Sequence, residues 1–319
     1  MTFHSRPLFY ICQVVIFLLY CVGAQAADAQ KVTAAAPIPY EKMSFLHYLT
    51  GADSTRLSMP TDVAVDENSV YVVDGANHRI VVFSLSGKVL YTFGGKGYGQ
   101  GKLNSPVGLT IHRDKIYVAD RENRLIQIFA RDGHFIRQFK VLSRGKAIRP
   151  IDIAVSKDGR EYYVSGNRNH RLMVFSAAGK LLREWGGDGL NPGQFRYPGS
   201  VLVLPDSRIA VVDVLNTRVQ VFEKDGTFSV QVGEWGVLPG QLFRPKGVAI
   251  DANNNFYISD SYMDVIEVYD GKARFKYVLQ PENMAYKPIT PAGITIDRQG
   301  RLYIAEVLKN RVAVFQLQK

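Results

Sequence analysis

Proline recurs along this chain at positions 60, 106, 150, 198, 245 and 291, at intervals of 46, 44, 48, 47 and 46 residues. A second marker keeps the same period: Phe83, Phe129, Phe175, Phe222, Tyr269 and Phe315 are spaced by 46, 46, 47, 47 and 46 residues. Each of these aromatics lies nine residues after Asp74, Asp120, Gly166, Asp213, Asp260 or Glu306. Two independent markers with one period mean that a single supersecondary unit is repeated six times, and no other property constrains the fold as much.

Within a unit the apolar residues come in short blocks of Val, Ile, Tyr and Phe, such as Val70 to Val73 and Ile80 to Phe83. Blocks this short, rich in β-branched and aromatic residues, read as strands. Between them stand the turn pairs Ser86-Gly87, Asp132-Gly133, Ala178-Gly179, Asp225-Gly226 and Asp270-Gly271, where glycine is expected to supply the positive φ of a tight hairpin. Each unit therefore reads as four antiparallel strands, a to d, which in the first unit fall near residues 62–66, 70–73, 78–84 and 88–93. Small four-stranded sheets at this period predict an all-β, six-bladed β-propeller, because solenoids of similar period are mostly helical and no helical periodicity runs through the repeats. The sixth unit stops just after its strand c, at Phe315 to Lys319. The segment Phe45 to Gly51 resembles the strand d segment Val89 to Gly94 and is expected to complete the last blade, covering its open edge.

The first 26 residues carry Arg6, an apolar run from Leu8 to Val22 and then Ala24-Gln25-Ala26, the pattern of an export signal. The run is shorter than the ~20 apolar residues of a membrane span. The expected organisation is a signal at 1–26, a flexible alanine- and proline-rich leader at 27–40 and a propeller at 41–319, with a periplasmic or extracellular location. Both cysteines, Cys12 and Cys21, lie in the signal, so the exported chain would have no disulfide, thiolate metal site or cysteine nucleophile. Residues 27–319 hold 38 lysines and arginines against 29 acids, a formal charge of +9 that favours anionic partners.

Three stretches carry a family resemblance: Pro245-Lys246-Gly247-Val248-Ala249-Ile250-Asp251, Tyr71-Val72-Val73-Asp74-Gly75-Ala76-Asn77-His78-Arg79-Ile80-Val81-Val82-Phe83, and Gly193-Gln194-Phe195-Arg196-Tyr197-Pro198. They resemble the NHL repeat, and the likeness recurs over residues 57–318. Gly166 and Glu306 depart from it at the strand b aspartate, and Leu125 and Val265 at the arginine five positions on. The resemblance implies an interaction module; some propellers of similar fold are amidating lyases using zinc, and related ones are lactonases using calcium.

The aspartate and arginine bracket the turn from strand b to strand c, where a carboxylate can accept turn N–H groups and pair with the guanidinium. Recurrence in blade after blade argues that Asp74, Arg79, Asp120, Asp213, Arg218, Asp260 and Arg311 are architecture, and the shared turn position of His78 and His170 argues the same for them. Candidate site residues are those that differ between blades. Two positions after the repeat proline stand Gly108, Ser200, Gly247 and Gly293, but Asp62 and Asp152 in blades 1 and 3. Two carboxylates facing one channel could hold calcium or do acid-base work; equally, they could cap backbone N–H groups or pair with a neighbour such as Arg149.

The same end is expected to present Arg121, Arg149, Arg168, Tyr197, Arg244 and Tyr262, a basic and aromatic rim suited to anionic or sugar-containing ligands. The glycine-rich connector at 94–101 lacks the dinucleotide spacing and reads as a link between blades, while 140–149 and 279–290 have lost that pattern and are the expected places for specificity. The favoured function is an exported, non-catalytic binding or scaffold module for a protein or an anionic polymer, acting as a monomer and without a predicted cofactor. The alternative is a metal-dependent propeller enzyme at the channel mouth. Nucleic acid is disfavoured by export.

Overall fold

The computed structural model describes residues 38–318. The expected signal at 1–26 and nearly all of the leader lie outside them. Four separate four-stranded antiparallel sheets form blades 1 to 4, and an eight-stranded sheet holds blades 5 and 6. In blade 1 the strands are Pro60–Val65, Ser69–Asp74, Arg79–Ser84 and Val89–Gly94, within two residues of the sequence reading. The closing strand also forms as expected. Tyr40–Leu49 pairs antiparallel with Arg311–Leu317, bringing Phe45 opposite Phe315 and Leu49 opposite Val312.

The closing strand does something more. Tyr40 to Met43 also pairs in parallel with Val278 to Pro281, the outer strand of blade 5, which is why blades 5 and 6 share one sheet. Blade strands b and c are buried on both sides, whereas strand d alternates between half-buried and exposed. This follows from packing each blade between two neighbours, and it explains unbroken runs such as Val70 to Val73 where a one-sided sheet would alternate. Buried apolar residues gather at each blade-to-blade interface: Val72, Phe83 and Tyr303 join blades 1 and 6, and Val118, Ile80 and Leu109 join blades 1 and 2.

One turn departs from expectation. The left-handed residue of the c to d turn lies four positions after the blade aromatic, at Gly87 (φ 92°), Gly133 (φ 87°), Gly179 (φ 83°) and Gly226 (φ 97°). In blade 5 that position is Ala273 (φ 65°); Gly271 stands two residues too early to serve.

Candidate functional site

The connectors from strand d to the next strand a, and the turns from strand b to strand c, meet at one end of the ring. There the channel opens into a cavity of about 750 Å³. All six residues that follow the repeat prolines line it: Thr61, Val107, Ile151, Gly199, Lys246 and Ala292. Lys246 is the single charged residue of that set. The signal lies in the sequence one position before the candidate aspartates: a lysine stands where the other five units have threonine, valine, isoleucine, glycine and alanine.

Of the predicted residues, Asp62, Asp152, Tyr197, Arg244 and Tyr262 are brought together around this cavity. Arg121, Arg149 and Arg168 are not among its walls. Arg149 does not pair with Asp62 or Asp152; it reaches Glu122 at 2.8 Å, and Arg121 lies 3.5 Å from the same carboxylate. Arg168 is exposed at the tip of its turn. The connectors at 140–149 and 279–290 also miss the cavity apart from Thr290. The first folds on itself as a two-residue hairpin, and the second lays Tyr286 flat on Phe45 of the closing strand at 4.1 Å.

Asp62 and Asp152 act between blades. Asp62 Oδ2 accepts the Leu109 N–H of blade 2 at 2.8 Å. Asp152 Oδ2 accepts the Val201 N–H and the Ser200 hydroxyl of blade 4 at 2.8 and 3.1 Å, and its Oδ1 accepts the Ile153 N–H at 2.8 Å. In blade 5, Ser259 takes the equivalent part, donating to the Ala292 carbonyl of blade 6 at 2.6 Å. The small residues beside them are now explained: a Cβ on Gly108 would lie 2.3 Å from Asp152 Oδ1, and one on Gly293 would lie 2.0 Å from Asp62 Oδ1. Glycine there is a condition of close approach between inner strands. Among the described residues, no group of three His, Cys, Asp or Glu side chains is placed to hold a metal ion.

Burial pushes the Asp152 carboxyl up to about 7, and burial together with the Asp152 charge pushes Asp62 well above the usual carboxylate range. Burial likewise raises Glu267, which accepts the Tyr269 hydroxyl at 2.6 Å, to about 7. The folded state therefore holds protons that the unfolded chain, with carboxylates near 4, has already released. Their stabilising contribution is complete below about pH 4 and is lost as pH rises through about 7. The melting temperature is expected to fall by several degrees between pH 5 and pH 8, and Asp152→Asn to flatten that slope. An equally steep slope in the variant would assign the effect elsewhere.

The turn carboxylates are buried as architecture demands, although their donors differ from expectation. Asp74 accepts the Ser58 N–H at 2.6 Å, Asp120 that of Asn104 at 2.7 Å and Asp213 that of Arg196 at 2.7 Å, all from the incoming connector and not from the turn. Asp260 takes backbone donors from both, accepting Arg244 N–H at 2.8 Å and Tyr262 N–H at 3.0 Å, while the turn asparagines Asn77, Asn123 and Asn216 donate their side-chain amides to Asp74, Asp120 and Asp213. Arg79 and Arg218 pair with their aspartates at 2.7 and 3.0 Å, and Arg311 pairs with Glu306. His78 and His170 accept the N–H groups of Ser105 and Tyr197 at Nδ1, 2.9 and 3.2 Å away.

The two ends of the ring differ. The connectors and turns at the mouth carry thirteen lysines and arginines against six acids, whereas the turns at the far end carry eleven of each. The mouth also exposes Tyr98, Leu190, Trp235, Tyr262 and Leu308, while the far-end turns expose no large apolar side chain. Inside the mouth, burial and the neighbouring Arg244 charge lower the pKa of Lys246. The charge of an anion entering there would oppose both effects by favouring the ammonium form.

Residues 57–83 match the NHL repeat, and residues 195–282 match a family described as 6-bladed beta-propeller. The chain is a six-bladed β-propeller that carries an NHL repeat at residues 57–83. Protein brain tumor of Drosophila melanogaster is 32% identical to this propeller over 134 residues, 41% of this chain and 12% of that protein. B-box type zinc finger protein ncl-1 of Caenorhabditis elegans is 27% identical over 136 residues, 42% of this chain and 16% of that one. The chain thus matches less than a fifth of the length of either relative.

Among solved structures, a protein of unknown function from Bacteroides thetaiotaomicron superposes with a TM-score of 0.66 at 17% identity, covering 84% of this chain and 73% of that one. A catalytically inactive virginiamycin B lyase from Staphylococcus aureus, solved with quinupristin, superposes at 0.60 and 14% identity, covering 81% and 80%. At such identities the likeness is one of fold. A propeller that carries an NHL repeat supports a binding or scaffold module.

Proposed function

We propose that this protein is an exported, non-catalytic recognition module that captures an anionic partner, polymer or protein, at the mouth of its propeller. The observation that carries the reading is the cavity of about 750 Å³ whose walls hold Arg244 and Lys246, set in an end with a large excess of basic side chains. Tyr197 and Tyr262 flank it on rigid supports. Tyr197 meets His170 edge-on at 5.0 Å, and Tyr262 packs on Phe243 at 4.3 Å. Charges gathered at the mouth of a low-dielectric cleft attract and orient an anion more strongly than the same charges spread over a surface.

Arg244→Glu combined with Lys246→Met is expected to weaken capture of soluble polyphosphate at least about tenfold per lost charge-assisted contact, with the melting temperature unchanged. Parent affinity should fall as salt is raised. Retained capture in the double variant would remove the mouth as the binding end.

A further inference from the structure

Three connectors at the mouth share one construction. In residues 95–105, 187–197 and 233–244 a parallel bridge ties the start of the loop to its end, Lys96 to Leu103, Asp188 to Phe195 and Trp235 to Leu242. The second member of each pair is fully buried, so each loop is pinned to its blade. Five residues before that anchor stand Tyr98, Leu190 and Val237, exposed to 81%, 67% and 54%. Equivalent bridges and anchors put these three tips at one shared position of their loops. In the third loop Trp235 and Leu238 flank the tip, exposed to 71% and 64%. The b to c turns add Leu215, Tyr262 and Leu308 at one shared position in blades 4, 5 and 6.

From this arrangement, and resting on the reading of the mouth as an anion-binding end, we infer that the propeller seats mouth-down on the surface of an anionic lipid bilayer. The apolar tips stand on separate loops and turns around the ring, so they define a plane and not a groove. A bilayer accepts each tip wherever it falls, with Trp and Tyr at headgroup level and Leu and Val just below. A protein partner would need a matched pocket for every tip. A soluble polyanion would satisfy the arginines and lysines but leave Leu190, Val237 and Leu238 in water. The basic excess between the tips supplies the attraction that anionic headgroups complete.

The chain has two tryptophans, so Trp185→Phe in the full chain leaves Trp235 as the sole reporter. With vesicles of phosphatidylcholine and phosphatidylglycerol, its emission is expected to shift to the blue and to be quenched by brominated lipid, and with phosphatidylcholine alone to remain unchanged. Val237→Asp with Leu238→Asp, in the same background, should weaken this partitioning at least about tenfold. The apolar run at 8–22 is common to all variants, so only the loop is reported. Unshifted emission with anionic vesicles, even if the protein sediments with them, overturns the membrane seat. If polyphosphate capture then still depends on Arg244 and Lys246, the anion-binding reading survives alone; if it does not, both fall. A shift that the two aspartates leave intact would also overturn the insertion of these tips.

Discussion

A chain lacking residues 38–50 is expected to lose the closed ring, eluting as aggregate and showing no cooperative melt near that of the parent. The removed strand carries Met43 and Leu49, both fully buried, into two different interfaces. Phe45 lies flat on Tyr286, and the Arg311 guanidinium sits 3.6 Å over the Tyr48 ring. Without the strand, Arg311–Leu317 and the outer strand of blade 5 both become open edges, each a template for pairing with another chain. Point variants grade the effect: Met43→Ala or Leu49→Ala should each cost about 2–5 kcal/mol, the range for emptying a buried aliphatic site. A truncated chain that melts with the parent would show that the ring closes without this strand.

That closure was legible because it is a matter of counting: a strand missing at one end and a strand of matching pattern at the other. The second pairing, in parallel with blade 5, was not legible. It depends on where the chain enters the blade gap, and the alternation of Tyr40 to Leu49 is the same whether one edge or two are satisfied. The same limit applied at the mouth. Which residues face the channel follows from the period, so Asp62, Asp152, Tyr197, Arg244 and Tyr262 could be gathered from sequence. Which of them are free to meet a ligand does not follow. Asp62 and Asp152 spend their oxygens on N–H groups of the next blade, and Arg149 is held by Glu122. Those partners lie about one repeat away or in a facing turn, beyond any local pattern. Lys246 and the apolar tips at 98, 190 and 237 did leave a signal, visible only when equivalent positions are read across blades in place of along the chain.

Asp213→Ala is expected to be the most damaging single change in the turn device, at about 3–5 kcal/mol, because it strands a buried charge. The Asp213 carboxylate is fully buried and accepts four donors: the Arg196 N–H at 2.7 Å, Asn216 at 2.8 Å, and Arg218 Nε and Gln220 each at 3.0 Å. Arg218 would keep its bonds to the Asn191 and Gln194 carbonyls and to Gln231 but lose its counter-ion in a site that is nearly closed to water. Arg218→Met should cost less. Burial already pushes the Asp213 carboxyl up, so without the arginine it can take a proton and stay neutral, whereas a guanidinium has no such escape. The double variant should therefore recover a good part of the Asp213→Ala loss, since an apolar side chain fills the space that the stranded charge could not tolerate. Denaturant melts of the four proteins test this directly. If the double variant loses as much as the two single losses added together, the pair has no coupling, and the aspartate serves only as an acceptor for the incoming connector.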